Sequence, residues 1–218
     1  MIKRIIAAVL IENDHVVRRV NQKTIAILGK PETTFKYLQN WDVDEICLIN
    51  VGANNNFSTS VNTALNNCFI PVTVGGNISS LDDIDRLMGV GADKVVIGRH
   101  LSEKFINKIA NKYGPQIVCG SIDKDHHKRC KEIQDWPIGE ILMHDISRDG
   151  TGKGLNLDIL KIKMRQSVIG MGGVGKYEDI VQAFDYCDSV CVGNLFHFKE
   201  MACRQAKNAA KKAGFRIR

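Results

Sequence analysis

Two stretches of this chain repeat one another at half its length, and that repeat restricts the fold more tightly than any other feature. VGGNISSLDDIDRLMGVGADKVVIG (74–98) and MGGVGKYEDIVQAFDYCDSVCVG (171–193) share the order Gly-Gly, Asp-Ile, Asp, then Val-x-[VI]-Gly. The offset is about 95 to 97 residues in a chain of 218, which marks a duplicated unit. Around the repeat, strand-like apolar runs alternate with helical segments. The runs are RIIAAVLI (4–11), EICLINV (45–51), IPVTVGG (70–76), DKVVIGR (93–99), QIVCGSID (116–123), EILMHDIS (140–147), SVIGMGG (167–173) and DSVCVGN (188–194). Between them lie amphipathic stretches such as SLDDIDRLMGVG, SEKFINKIANKYG and KYEDIVQAFDYC, the first opened by Ser80 as an N-cap ahead of acidic residues.

Eight runs nearly continuous in Val, Ile and Leu, each followed by a crossover, predict a parallel sheet buried on both faces. Two half-barrels of four strands then close into a (β/α)8 barrel, for which ~250 residues is typical. At 218 residues the chain is expected to form one compact phosphate-binding domain over 1–218. The fifth crossover, KDHHKRCKEIQDWPIG, leaves only 16 residues between Asp123 and Glu140, so its helix should be short or irregular.

The repeat also duplicates Gly-rich turns. VIGMGGVGK (168–176) nearly spells a nucleotide-binding P-loop, but Tyr177 follows Lys176 where a metal-holding hydroxyl is required. The arrangement instead places Gly75-Gly76 and Gly172-Gly173 after the third and seventh runs, and Gly98 and Gly193 after the fourth and eighth. Bare N–H groups at such loops suit oxyanions, as at barrel phosphate sites. Asn77, Arg99 and Asn194 adjoin them and join the expected phosphate-binding set. Tight turns alone would explain any single loop; the matched pairs favour a doubly anionic ligand.

Composition excludes several classes. No apolar run approaches the ~20 residues that span a bilayer, and the opening MIKRIIAAVLIENDH is charged too early for a secretory signal, so a cytoplasmic, membrane-free protein is expected. Seven cysteines (Cys47, Cys68, Cys119, Cys130, Cys187, Cys191 and Cys203) form no C-x-x-C pair and read as reduced, mostly buried thiols. The net charge of +6 concentrates in RQAKNAAKKAGFRIR near the C-terminus. Without interleaved aromatics this reads as a solvated helix face, not a nucleic-acid surface. His126, His127 and Cys130 lack a second cluster at zinc spacing, so no metal is expected. Asp145 and Asp149 flank a loop, DISRDGTGKG, suited to cover a ligand; Asp149 is a candidate functional carboxylate, with a turn-stabilising role as the alternative. Arg18 and Arg19 fall in what reads as a long loop reaching residue 31, and Arg18 is a candidate phosphate contact.

KRIIA (3–7), VDEICLIN (43–50), IPVTVGGNI (70–78), GADKVVI (91–97), GEILMHDISRDGTGKG (139–154) and LFHF (195–198) together resemble the cyclase subunit of imidazole glycerol phosphate synthase across nearly the whole chain. The resemblance implies a glutaminase partner at the barrel bottom, whose ammonia crosses the core and enters a bisphosphorylated substrate at the top without metal or organic cofactor. It implies a charged gate of Arg4, Glu45, Lys94 and Glu140, with Asp93 facing the glutaminase. Such charges could equally pair only to stabilise the barrel floor. It further implies two acid–base carboxylates. Asp123, in GSID, keeps one, but Leu10 stands where the other belongs, and leucine transfers no proton. Asn50, Asn77 and Gly98-Arg99 also depart from the pattern, and Glu12 or Asp14 are possible substitutes. A branch of the family in surface-polysaccharide pathways also carries that leucine. Its members imply that ammonia is fed to a separate ATP-dependent amidotransferase acting on a phosphorylated or nucleotide-linked sugar, which is the expected function. The alternatives are a true histidine-pathway cyclase and a non-catalytic conduit or scaffold. A related isomerase of that pathway fits less well, because it lacks the LFHF ending.

Overall fold

The computed structural model describes residues 1–52 and 59–218. In chain order its elements are β1 (Arg4–Glu12), β2 (His15–Val20), β3 (Lys23–Gly29), α1 (Pro31–Asn40), β4 (Glu45–Asn50), α2 (Thr59–Asn66), β5 (Val72–Gly75), α3 (Leu81–Gly89), β6 (Lys94–Ile97), α4 (Glu103–Tyr113), β7 (Val118–Asp123), α5 (Cys130–Ile133), β8 (Glu140–His144), α6 (Leu157–Leu160), β9 (Ser167–Met171), α7 (Tyr177–Ala183), β10 (Ser189–Val192), α8 (Asn194–Phe198) and α9 (Ala202–Lys212).

The first strand shows why the runs are apolar at nearly every position. Ile5, Ala7, Val9 and Ile11 pack outward against the helical layer, while Ile6 and Ala8 point into a separate inner core. Successive side chains of a strand alternate faces, so burying both faces removes the polar half of the usual alternation. Parallel pairing runs β1, β4, β5, β6, β7, β8, β9, β10 and returns to β1 through Arg4↔Ser189 and Ala7↔Val192. The result is a closed eight-stranded parallel barrel ringed by helices, the (β/α)8 architecture.

The duplicated sequence is a duplicated set of hydrogen bonds. Asp83 opens α3, accepting from the N–H groups of Ser79 and Ser80, while Ser80 Oγ accepts from Asp83 N. Asp179 opens α7 in the same manner, accepting from Gly175 N and Lys176 N. At the other end of the barrel the Asp93 carboxylate accepts from Val72 N at 2.8 Å and Asp188 from Val168 N at 3.0 Å. Asp44 repeats the device on Ile5 N at 2.8 Å. Each ties the start of one barrel strand to the loop entering the next.

Three segments depart from the simple repeat. The stretch expected as a loop to residue 31 is instead the antiparallel hairpin β2–β3, attached to β1 through Ile11↔Val16 and Glu12↔His15. Its turns are built at Asn13-Asp14 (φ 47° and 65°) and Asn21-Gln22 (φ 47° and 64°). Positive φ at both central residues matches the twist of two-residue hairpins, and Asn and Asp tolerate it best. The fifth crossover is, as expected, a 3-10 turn over Lys124–Arg129 followed by the four-residue α5. The basic C-terminal helix differs from expectation at one position: Lys207 is 3% exposed and its Nζ donates to Asp44 at 2.7 Å. An ammonium is buried there because a carboxylate from the β4 entry loop meets it, with Asp42 a further 3.4 Å contact.

Burial pushes the Asp83 carboxyl up, but the Ser79 N–H, the Ser80 hydroxyl and Arg86 outweigh it and bring it down to about 2, from an ordinary 3.8. The cap is therefore complete above the ordinary value and is lost as pH falls toward the folded one. Asp83→Ala is expected to reduce stability by about 1 kcal/mol at neutral pH and by much less near pH 2. Urea unfolding at the two pH values measures the difference.

Candidate functional site

The two ends of the barrel carry different chemistry. At the N-terminal ends of the strands, Arg4 of β1, Glu45 of β4, Lys94 of β6 and Glu140 of β8 form a closed ring of ion pairs. Arg4 donates to Glu45 at 3.1 Å and to Glu140; Lys94 reaches Glu45 at 3.2 Å and Glu140 at 2.7 Å. Glu45 is 1% exposed as a side chain, and the Thr73 hydroxyl donates to it as well. Burial opposes charge on Arg4, Lys94 and Glu140. Their partners win: both cations are held above their ordinary values and Glu140 below its own. Alternating signs make this possible, since every charge touches two of opposite sign. Asp93, beside the ring, is exposed apart from its bond to Val72 N.

Above the ring the lumen holds Ile6, Ala8, Val96, Leu142, Ile169 and Met171 with the thiols of Cys47, Cys119 and Cys191. The Cys191 hydrogen bond and burial keep the Cys47 thiol protonated, and burial does the same for Cys119. Gly75 belongs to this layer, because a Cβ there would come within 2.7 Å of Val96 Cβ and 2.8 Å of Ile49 Cδ1.

At the C-terminal ends a cavity of about 320 Å³ is walled by Leu10, Arg19, Gly76, Asn77, Gly98, Arg99, His144 and Asp149. A neighbouring cavity of about 420 Å³ lies under the short fifth crossover and shares Gly98, Arg99, Ser121 and Ile146 with the first. Asp123 faces this second space, with His126 and Arg129; its Oδ1 accepts from Lys124 N at 2.8 Å and Ile146 N at 3.3 Å. Gly172, Gly173, Gly193 and Asn194 line a recess of about 30 Å³ whose other wall is again Leu10, Arg19 and Asp149.

The expected glycines divide into two kinds. Gly76 has φ +100° and a Cβ there would lie 2.1 Å from Asn50 O; Gly173 has φ +98° and would meet Gly154 O at 2.3 Å. Backbone conformation and loop crossing alone require those two. At Gly98 and Gly193 the nearest atoms to an added Cβ are 3.8 and 3.9 Å away, so protein packing leaves room there.

The expected side chains also separate. Arg18 stacks over Phe198 at 5.0 Å, while Arg19, the next residue on β2, lines the main cavity. Within DISRDG, Asp145 is buried and spent on the loop, accepting from Ser147 N at 3.0 Å, Ser147 Oγ at 2.6 Å and Asn156 Nδ2 at 2.8 Å. Asp149 faces the cavity instead, and burial raises its carboxyl, against the pull of His144 and Arg19. Burial lowers the His144 imidazole, with Asp149, Asp123 and Asp145 pulling the other way. His144 stands inside the EILMHDIS run but was not among the expected site residues. His127 has its side chain outside the described residues; among those described, no cluster of three or more His, Cys, Asp or Glu is disposed to hold a metal ion.

A family model described as "Histidine biosynthesis protein" matches residues 4–202. The chain is 30% identical over 245 aligned positions to the imidazole glycerol phosphate synthase subunit HisF of Campylobacter concisus, covering 99% of this chain and 98% of that protein. It is 28% identical over 242 positions to a Campylobacter jejuni protein provisionally described as imidazole glycerol phosphate synthase subunit hisF2, with coverage of 99% and 98%. Identity to subunit HisF of Corynebacterium glutamicum is 27% over 253 positions, again covering 99% and 98%. No helix among the described residues is long and apolar enough to cross a membrane.

The ring predicts a non-additive pair of substitutions. Lys94→Met leaves Glu45 and Glu140 both dependent on Arg4, an imbalance expected to lower stability by about 3–5 kcal/mol. Adding Glu140→Gln removes one of the stranded carboxylates and should recover part of that loss. Urea unfolding of the single and double variants checks both.

Proposed function

The chain belongs to the histidine biosynthesis protein family, and from that premise we propose that it is a synthase-type subunit that joins ammonia to a phosphorylated substrate in its upper cavity. A glutaminase docked on the floor beside Asp93 supplies the ammonia, which passes the Arg4–Glu45–Lys94–Glu140 ring and rises through the lumen. The observation that carries the reading is the pairing of the two ends of one barrel: a neutralised ring of charges below, and a cavity with Asp149, His144, Arg19 and Arg99 above. A ring of balanced charges can part and re-form without stranding a net charge, and neutral NH3 crosses a lumen of alkyl groups and thiols more readily than ammonium. At the top, the room left at Gly98 and Gly193, at matching places in the two half-barrels, would take the two anionic ends of a ligand, with Gly76, Asn77, Gly172, Gly173 and Asn194 beside them and Arg19 and Arg99 as counter-charges. Asp123 and Asp149 stand on two sides of that space as candidates for proton transfer.

The matched family and its relatives favour this chemistry at the barrel's own upper face. The second reading, delivery of ammonia to a separate ATP-dependent amidotransferase acting on a sugar, is supported by Leu10, an apolar side chain in the cavity wall at the end of β1.

One comparison separates the two. The purified barrel, given the bisphosphorylated substrate of imidazole glycerol phosphate synthase and an ammonium salt at mildly alkaline pH, is expected to form imidazole glycerol phosphate without any partner. With glutamine as the nitrogen source it should do so only when a glutaminase co-purified from native cells is present. Stimulation of glutamine hydrolysis with no turnover of that substrate would favour the delivery reading, and neither effect would refute both.

A further inference from the structure

We propose that His144, backed by Asp149, moves the protons for carbon–nitrogen bond formation in the cavity where Leu10 has displaced a carboxylate. This role rests on the synthase reading above and deepens it.

Three observations carry it. His144 ends β8 and lines the same cavity as Leu10, Arg19 and Asp149. Its Nε2 is sealed from solvent and has no hydrogen-bond partner among the described residues, whereas buried polar atoms of native proteins are nearly always satisfied. The side chain lines the cavity through its other atoms, so a rotation of the ring about Cβ–Cγ that turns Nε2 into the cavity is what lets a ligand group complete it. The third observation is the division of labour among neighbouring carboxylates. Asp145 is consumed by Ser147 and Asn156, and Asp123 Oδ1 by two backbone N–H groups. Asp149 shares the cavity with the imidazole and can stabilise it when it takes a proton. The charged and titratable groups facing His144 are Asp149 and Asp145 from the loop after β8 and Asp123 from the end of β7; Arg19 of β2 acts on Asp149.

The chemistry balances as two proton relays. The ammonia nitrogen attacks a substrate carbonyl carbon, its lone pair forming the C–N bond as the carbonyl π pair moves to oxygen. His144 Nε2 takes one proton from that nitrogen and returns it to the oxygen, giving a carbinolamine. In the second relay a proton again passes from nitrogen through Nε2 to the hydroxyl. The C–O bond breaks with its pair on oxygen, water leaves, and the nitrogen lone pair closes the C=N bond. The imidazole ends as it began. A neutral imidazole is needed at the start, and burial favours that form.

The test uses the full chain with the ammonium-dependent assay. His144→Gln is expected to lower kcat by about 10²–10⁴-fold, the usual contribution of a general acid–base group, with little change in KM, and to abolish the acidic limb of the pH–rate profile once rates are referred to the concentration of free NH3. Leu10→Asp in the His144→Gln background should restore at least about tenfold, because it returns a proton-transferring group to the same cavity. A merely structural histidine would leave the limb in place. Should His144→Gln not fold, Asp149→Asn decides: removing the carboxylate that favours the imidazolium should move the acidic limb to lower pH. Activity of His144→Gln within about threefold of wild type, or an unmoved limb in Asp149→Asn, overturns the role while leaving the synthase reading intact. Absence of turnover by the wild-type chain with ammonium overturns the synthase reading, and this role with it.

Discussion

Everything in this molecule depends on β1 pairing with β10. That contact turns a ribbon of parallel strands into a cylinder, and closure creates both an inside and two ends. An open sheet of the same strands would present two unpaired edges and no lumen. Closure also explains the composition of the strands, since alternate residues serve an outer core beneath the helices and an inner one along the axis. The carboxylates of Asp44, Asp93 and Asp188 reinforce it from below by occupying backbone N–H groups at the strand starts.

The ends then divide the tasks. The floor is a set of charges that satisfy one another, and the proposed passage of ammonia uses that mutual satisfaction. The upper face holds polar groups left partly unsatisfied: an imidazole whose Nε2 has no partner among the described residues, and a carboxyl raised by burial. Unsatisfied polar groups are expensive within a folded chain, and they gather where strands end and loops cross. The β2–β3 hairpin and the loop after β8 build this rim jointly: Asn21 N donates to Asp149 O at 3.3 Å, and Gly150 lies so close to Arg19 O that a Cβ would sit 2.0 Å from it.

The sequence discloses what is periodic and conceals what is assembled from afar. Eight apolar runs and a half-length repeat announce the barrel because burial on both faces leaves an unmistakable record in each strand. The capping aspartates and the short fifth crossover are legible for the same reason: they are local. The hairpin is hard to read because Lys23–Gly29 is largely exposed and shows no core-facing alternation, although Asn-Asp and Asn-Gln stand at its turns. Lys207 looked solvated because its partner, Asp44, lies 163 residues away. Nothing local in the sequence sets His144 apart from its acidic neighbours. Only the folding of residues 145–154 over the strand end shows that Asp145 is spent and the imidazole is not. The glycine pattern marks loops at the strand ends, but it does not separate Gly76 and Gly173, fixed by backbone geometry, from Gly98 and Gly193, where space is left over.

The segments that lead into β1 and out of α9 lie together on the floor: Lys3 N donates to Arg216 O at 2.8 Å and Arg218 N to Lys3 O at 3.1 Å. Since Lys3 is stitched to Arg216 and Arg218, a short peptide could link these two segments and the chain could be opened in an exposed loop instead, a circular permutation that keeps the cylinder whole. The same proximity means that any purification tag or fused domain, at whichever end it is attached, projects from the face that bears the charged ring.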